Sequence, residues 1–341
     1  MRSKLLTLAA ALALPVAMAT TVQADNAWLG GAGVPLDHWD EATNWDSGVV
    51  PQSATERHID PNAADDLNVA RFKLDGTNTL VDSSVNATAF AVQLGAPKEV
   101  DPNGNPLPFP LDSQSASNTF NMTGGSVTQQ GNFGTNIGRG RNYDPNHLVQ
   151  FNMSGGLYNA SIFTVPEAFG PSGPSIGLNA EAHFSGDAEM HTDLLRLGSN
   201  DANSLVTISG SAKVVLDDTN NGFSTGVLWI ETFEDPNDTG GTSLLEITEW
   251  GELWVRGEWH TDENGDGQRG KATATEYQYF LDEYVSRGWL TAGGGTLYHG
   301  FFDPDGNGNG TIIFSAHPIP EPATIGLLAL ACPWLLRRRF R

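Results

Sequence analysis

The sequence says one thing twice. Residues 120–127 read FNMTGGSV and residues 151–158 read FNMSGGLY, 31 positions apart. A large apolar residue followed by a small polar turn and a β-rich run occurs again as Phe184-Ser185-Gly186-Asp187 and Ile208-Ser209-Gly210-Ser211. Degenerate versions are Leu74-Asp75-Gly76-Thr77 and Ile247-Thr248-Glu249-Trp250. From Met122 onward the lead residues are spaced 31, 31, 24 and 39. A chain built from such units buries its apolar faces by stacking one unit on the next, because a single unit cannot enclose a core.

A second phrase, an apolar residue followed by Gly, comes after each of the first four leads: Leu94-Gly95, Ile137-Gly138, Ile176-Gly177 and Leu197-Gly198. Val227-Leu228-Trp229-Ile230 stands in its place in the fifth unit. Short strands bounded by Gly, Asn and Asp, two signals per unit, predict an all-β fold. The expected architecture is a β-solenoid, like a parallel β-helix, over 71–260; a β-sandwich of hairpins is the alternative. Its lead ladder puts Met153 inward between Met122 and Phe184. Residues in excess of a bare coil must loop out. Segments 96–118, 139–148 and 233–243 follow the second phrase and would line one edge, whereas 165–175 precedes it and would lie elsewhere.

Composition narrows the alternatives. With 39 Gly, 19 Pro and only 17% charged residues, the chain is neither a helical bundle nor a coiled coil. Its 9 Trp and 16 Phe can build a core, unlike a disordered chain. A net charge of -22 excludes nucleic acid as a partner, since phosphate binding needs clustered Lys and Arg. Between 25 and 320 there are 12 basic and 39 acidic residues, a surface that attracts cations.

The ends read as addresses. Arg2 and Lys4, the apolar run Leu5–Ala19 and the small residues near Ala24 are expected to form a signal peptide over 1–24, with an N-terminal signal helix. The expected cleavage lies between Ala24 and Asp25, with Ala19 as the alternative. At the other end, Pro320-Glu321-Pro322, the apolar stretch Ala323–Leu336 and the cluster Arg337–Arg341 resemble the PEP-CTERM sorting signal. Pro333-Trp334 departs from the usual composition of that stretch. The resemblance covers 319–341 and implies export, transient anchoring by a C-terminal hydrophobic helix, and processing by an exosortase, a membrane cysteine transpeptidase. It also implies an extracellular polysaccharide setting. About 14 apolar residues are short for a span of ~20, but flanking arginines can snorkel. The single Cys332 lies in this tail, so processing would leave no thiol and no disulfide.

Both ends of a solenoid need covers. Residues 25–70 hold Trp39, Asn44 and Trp45 followed by Gly48 and Pro51, resembling the opening of Gram-negative surface repeat proteins. The tryptophans are expected to plug the first coil, with sugar stacking as the alternative. Residues 261–318 form the other cap. Tyr277, Phe280, Leu281, Tyr284 and Val285 follow helical spacing, Thr273 and Glu276 make a capping box, and Gly288 suits the stop, so a helix is expected over 273–287.

Few constellations carry chemistry. Asp262, Asn264 and Asp266 ahead of Gly267 make half of a calcium loop, and Asp303, Asp305 and Asn307 repeat the pattern. Thr273 and Phe314 stand where the bidentate acid belongs, so calcium is the one cofactor considered. The two G-x-S-x-G matches, 173–177 and 222–226, lack the strand–turn–helix context that a nucleophile needs. A polysaccharide lyase needs a base beside a carboxylate-bound cation. Arg139, Arg141, Arg196 and Lys213 are the basic residues available, against Asp187, Asp217 and Asp218. Trp229 and Trp254 are expected to point outward, either packed under the helical cap or forming an adjacent sugar-stacking platform. The overall expectation is an exported, non-enzymatic structural or adhesive protein with no catalytic residues. The alternatives are a carbohydrate-binding module and a polysaccharide lyase.

Overall fold

A computed structural model describes residues 26–29, 38–55, 67–73, 75–95, 116–132, 134–138, 147–166, 179–198, 202–217, 226–230, 241–257, 272–304, 306 and 310–319. Ala24, Asp25, Asp262, Asn264, Asp266, Asp305, Asn307, Pro320, Glu321 and Pro322 lie outside them, as do both expected terminal helices. Among the described residues no helix is long and apolar enough to cross a membrane.

The chain is mostly β, and among the described residues 17 strands join one curled open sheet. In chain order they are β1 (Val69–Arg71), β2 (Thr77–Val81), β3 (Asn86–Ala89), β4 (Ala91–Leu94), β5 (Asn118–Gln129), β6 (Thr135–Ile137), β7 (Leu148–Val165), β8 (Asn179–Phe184), β9 (Glu189–Leu197), β10 (Asn203–Ile208), β11 (Lys213–Leu216), β12 (Val227–Ile230), β13 (Ser243–Ile247), β14 (Glu252–Val255), β15 (Leu290–Thr291), β16 (Tyr298–Phe302) and β17 (Thr311–Ser315).

Three parallel ladders run through the sheet. The first joins β2, β5, β7, β8, β10, β13 and β15. The second joins β3, β5, β7, β9, β11 and β14, then closes on β17 and β16 by antiparallel pairing. The third joins β4, β6, β7, β9 and β12, with β1 at its start. Period-2 burial explains the register. In β8 every second residue, Ala180, Ala182 and Phe184, is buried, and the intervening Asn179, Glu181 and His183 face outward. A one-residue slip would expose the whole apolar set.

The lead ladder runs Val81, Met122, Met153, Phe184, Ile208, Ile247, all buried. Met153 sits between Met122 and Phe184 and is 1% exposed. One residue pair earlier, Phe120 and Phe151 stack with centroids 5.0 Å apart and planes 3° apart. Tyr158 points into the same core, where burial raises its phenol pKa and its hydroxyl meets Thr135 Oγ1 at 2.8 Å.

Two repeat assignments are corrected. Val81, not Leu74, heads the lead ladder; the turn after it is Asp82-Ser83-Ser84, which no Gly marks, and Leu74 lies outside the described residues. In the third ladder Val165 pairs with Leu197, taking the place expected of Ile176, which also lies outside them. β7 runs on through all three ladders, so its second phrase arrives eleven residues earlier and ends in Pro166 rather than Gly. The segment after Val165 therefore leaves from the same corner as those after Gly95, Gly138, Gly198 and Ile230, instead of from elsewhere.

Trp28, Trp39 and Trp45 occupy the start of the stack. They are 0–2% exposed, pack edge to face at 5.0 Å, and rest on Phe72, with Trp39 also against Phe120. Rings so enclosed plug a core and cannot stack on a sugar. At the other end the expected helix over 273–287 divides. Residues Ala274–Tyr279 are α-helical, capped by Thr273 Oγ1 accepting from Glu276 N at 3.2 Å. Phe280–Val285 widens into a π-helix, with Ser286 N donating to Leu281 O. The wider turn aligns Phe280 and Tyr284, stacked at 5.3 Å and buried. Tyr284 Oη accepts from Ile230 N at the end of β12, and Phe280 approaches Phe314 of β17. Gly288 ends the segment at φ +77°, as its position predicts.

Candidate functional site

The outward side of the first ladder carries a concavity. It is a groove of about 430 Å³ that crosses β7, β8, β10 and β13 beside the loop-bearing corner. Its floor is set by strand alternation. Leu148, Asn179, Asn203 and Thr242 form one outward row, and Glu181, Leu205 and Leu244 form the next.

The first row is fixed by its own hydrogen bonds. Asn179 Nδ2 donates to His147 O at 3.1 Å, and Asn203 Nδ2 donates to Asn179 Oδ1 at 2.9 Å. Thr242 donates to Asn203 Oδ1 through N and Oγ1. His147 Nδ1 lies 2.9 Å from Ser117 Oγ. In the second row Glu181 Oε2 accepts from Gln150 Nε2 and meets His183 Nε2, each at 3.0 Å. Partial burial pushes the Glu181 pKa up, but the bonds from Gln150 and His183 outweigh it and hold the carboxyl below its ordinary value. The groove therefore presents a charged acceptor near neutral pH, fixed amides and a hydroxyl, and three half-buried leucines, Leu148, Leu205 and Leu244. Sequence reading missed it. Its residues come one or two from each unit, at outward positions that no local motif marks.

The second ladder carries ion pairs. His191 Nε2 lies 2.9 Å from Glu189 Oε1 and its Nδ1 3.7 Å from Asp217 Oδ2; Arg256 reaches the same Asp217 oxygen at 3.3 Å. Asp217 raises the His191 pKa, partial burial opposes this, and Glu189 adds to the rise.

Trp229 and Trp254 do not share a platform. Trp229 lies in the third ladder with the Arg196 guanidinium 4.7 Å from its ring centroid. Trp254 lies in the second, with Lys213 Nζ at 3.4 Å and its own Nε1 donating to Glu252. Arg196 and Lys213, the described basic residues weighed for lyase chemistry, thus lie over indole faces. Arg139, Arg141 and Asp218 lie outside the described residues. Asp303 belongs to a turn in which Gly306 N donates to its carbonyl at 3.4 Å and Gly306 has φ +63°. Among the described residues no group of three His, Asp or Glu side chains is placed to hold a metal.

Comparisons with protein-family models, with curated proteins and with solved structures find no match to this chain.

Proposed function

We propose that this protein is an exported, non-enzymatic β-solenoid with a structural or adhesive role at the cell surface or in an exopolysaccharide matrix, sorted by an exosortase-type system. The observation that carries the reading is the parallel, in-register lead ladder from Val81 to Ile247, running between a tryptophan cluster and an aromatic helical turn. Units that contact only their neighbours suit an extended surface rather than an enclosed catalytic cleft. The signal at 1–24 and the PEP-CTERM-like tail at 319–341 support the address and the tail's transient hold on the membrane. Calcium at Asp262, Asn264 and Asp266 would steady the C-terminal cap.

Mass spectrometry of the extracellular protein tests the address. The expected N-terminus is near Asp25, with no peptide beyond Pro322; an intact Arg337–Arg341 peptide would overturn processing. A second reading, a carbohydrate-binding module, is favoured by the polar groove over β7, β8, β10 and β13. Oligosaccharide capture without cleavage separates it from lyase activity, which would release unsaturated products.

A further inference from the structure

We propose that the groove binds a neutral, extended, β-linked glycan laid along the stacking direction, one sugar unit per strand crossed. This rests on the surface-adhesive reading and gives it a site and a ligand class.

The first argument is the repeat distance. Neighbouring strands lie about 4.8 Å apart, close to the advance of one sugar unit in an extended β-linked chain. The groove crosses four successive strands, a run of about 14 Å. A ligand with that period can set one unit over each strand, whereas a peptide or a compact metabolite does not share it.

The second argument is the pairing of surfaces. A pyranose has an apolar C–H face and a hydroxyl rim. Leu205 and Leu244 are adjacent on β10 and β13 and offer an apolar floor two units long. Asn179, Asn203 and Thr242 offer a polar edge beside it. Their mutual hydrogen bonds hold them before any ligand arrives, so little rotamer entropy is lost on binding. Glu181 uses Oε2 for Gln150 and His183, which leaves Oε1 for a ligand hydroxyl.

The third argument is charge. A carboxylate lining the groove, on a chain of net charge -22, repels polyuronates and sulfated glycans. Hydroxyl recognition by an ionised acceptor forms a charge-assisted bond that needs no opposite charge on the ligand.

Calorimetry of the exported chain with linear β-linked gluco-oligosaccharides of two to six units tests this. Affinity should rise with length to about four units and then level, because the groove crosses four strands. It should change little with salt, whereas nonspecific attraction of an amino-sugar polycation is screened. Glu181→Gln should weaken binding about tenfold, in keeping with the loss of a charged hydrogen bond. Leu205→Arg should abolish it while the melting temperature stays near the parent's, since residue 205 faces outward. Absence of binding by the neutral series, equal binding of oligouronates, or parental affinity in both variants would overturn the proposal. The adhesive reading fails separately: it falls if the exported protein does not cofractionate with matrix polysaccharide. It survives if the Leu205→Arg variant remains there without binding oligosaccharides.

Discussion

Two corners of the same repeat behave in opposite ways. At the lead corner the chain turns within a few residues in every unit, through Thr123–Gly125, Ser154–Gly156, Ser185–Asp187, Ser209–Ser211 and Thr248–Trp250. At the corner after the third ladder it leaves for segments of unequal length, 96–115, 139–146, 167–178, 199–201 and 231–240. The difference lies in what each turn touches. Lead turns stack backbone on backbone: Ser211 N donates to Gly186 O, and Trp250 N donates to Gly210 O. A Cβ at Gly156 would lie 2.6 Å from the Gly124 carbonyl carbon, and one at Gly210 would lie 2.7 Å from Gly186 N. An insertion there would break contacts with both neighbouring units. At the other corner the described ends also stack, Gly138 N donating to Leu94 O and Gly198 N to Val165 O, and beyond those ends loop length costs little once they are held.

The sharpest test substitutes glycines of like φ and unlike surroundings. Gly156→Ala adds a methyl at φ +86° against packed backbone, and should cost about 3 kcal/mol or more in denaturant unfolding. Gly288→Ala at φ +77° meets open space and should cost about 1 kcal/mol. Equal losses would mean that conformation, not stacking, governs the lead corner.

Glu249 occupies a lead-corner glycine position at φ +56°, and its Oε2 accepts from Gly210 N at 2.7 Å. Glu249→Ala keeps the strained backbone and removes the bond, so an equilibrium melt should show a loss of about 1 kcal/mol. Glu249→Gly relieves the strain while losing the same bond and should stay closer to the parent. The smallest effect is expected at the opposite corner. Halving segment 139–146 should change stability by less than about 0.6 kcal/mol. A loss of several would show that this corner is also packed.

The lead corner was legible because its turn chemistry is local. FNMTGGSV and FNMSGGLY aligned Met122 with Met153 without help from structure, and Ser-Gly marked the next two units. Legibility failed where another residue did the same work. Val81 precedes a Ser84 turn held by Asp82, whose Oδ1 accepts from Ser84 N and Oγ, so no glycine announces it. Those bonds, Ser84's side chain first, also lower the Asp82 pKa. The π-helix escaped because α and π spacing share the apolar positions Phe280 and Tyr284. The groove escaped because Asn179, Glu181, Asn203 and Leu244 are neighbours only after three units have stacked.

The stacked phenylalanines and the ladders around them have a mechanical consequence. Hydrogen bonds in all three ladders point from unit to unit, so tension on the two termini loads them a few at a time, at whichever end yields first. The chain would lengthen in steps of one unit under constant pull, and relax by re-docking units on those still folded. If the proposed surface role holds, such stepwise yielding would dissipate a tug that a single cooperative core would have to resist entire.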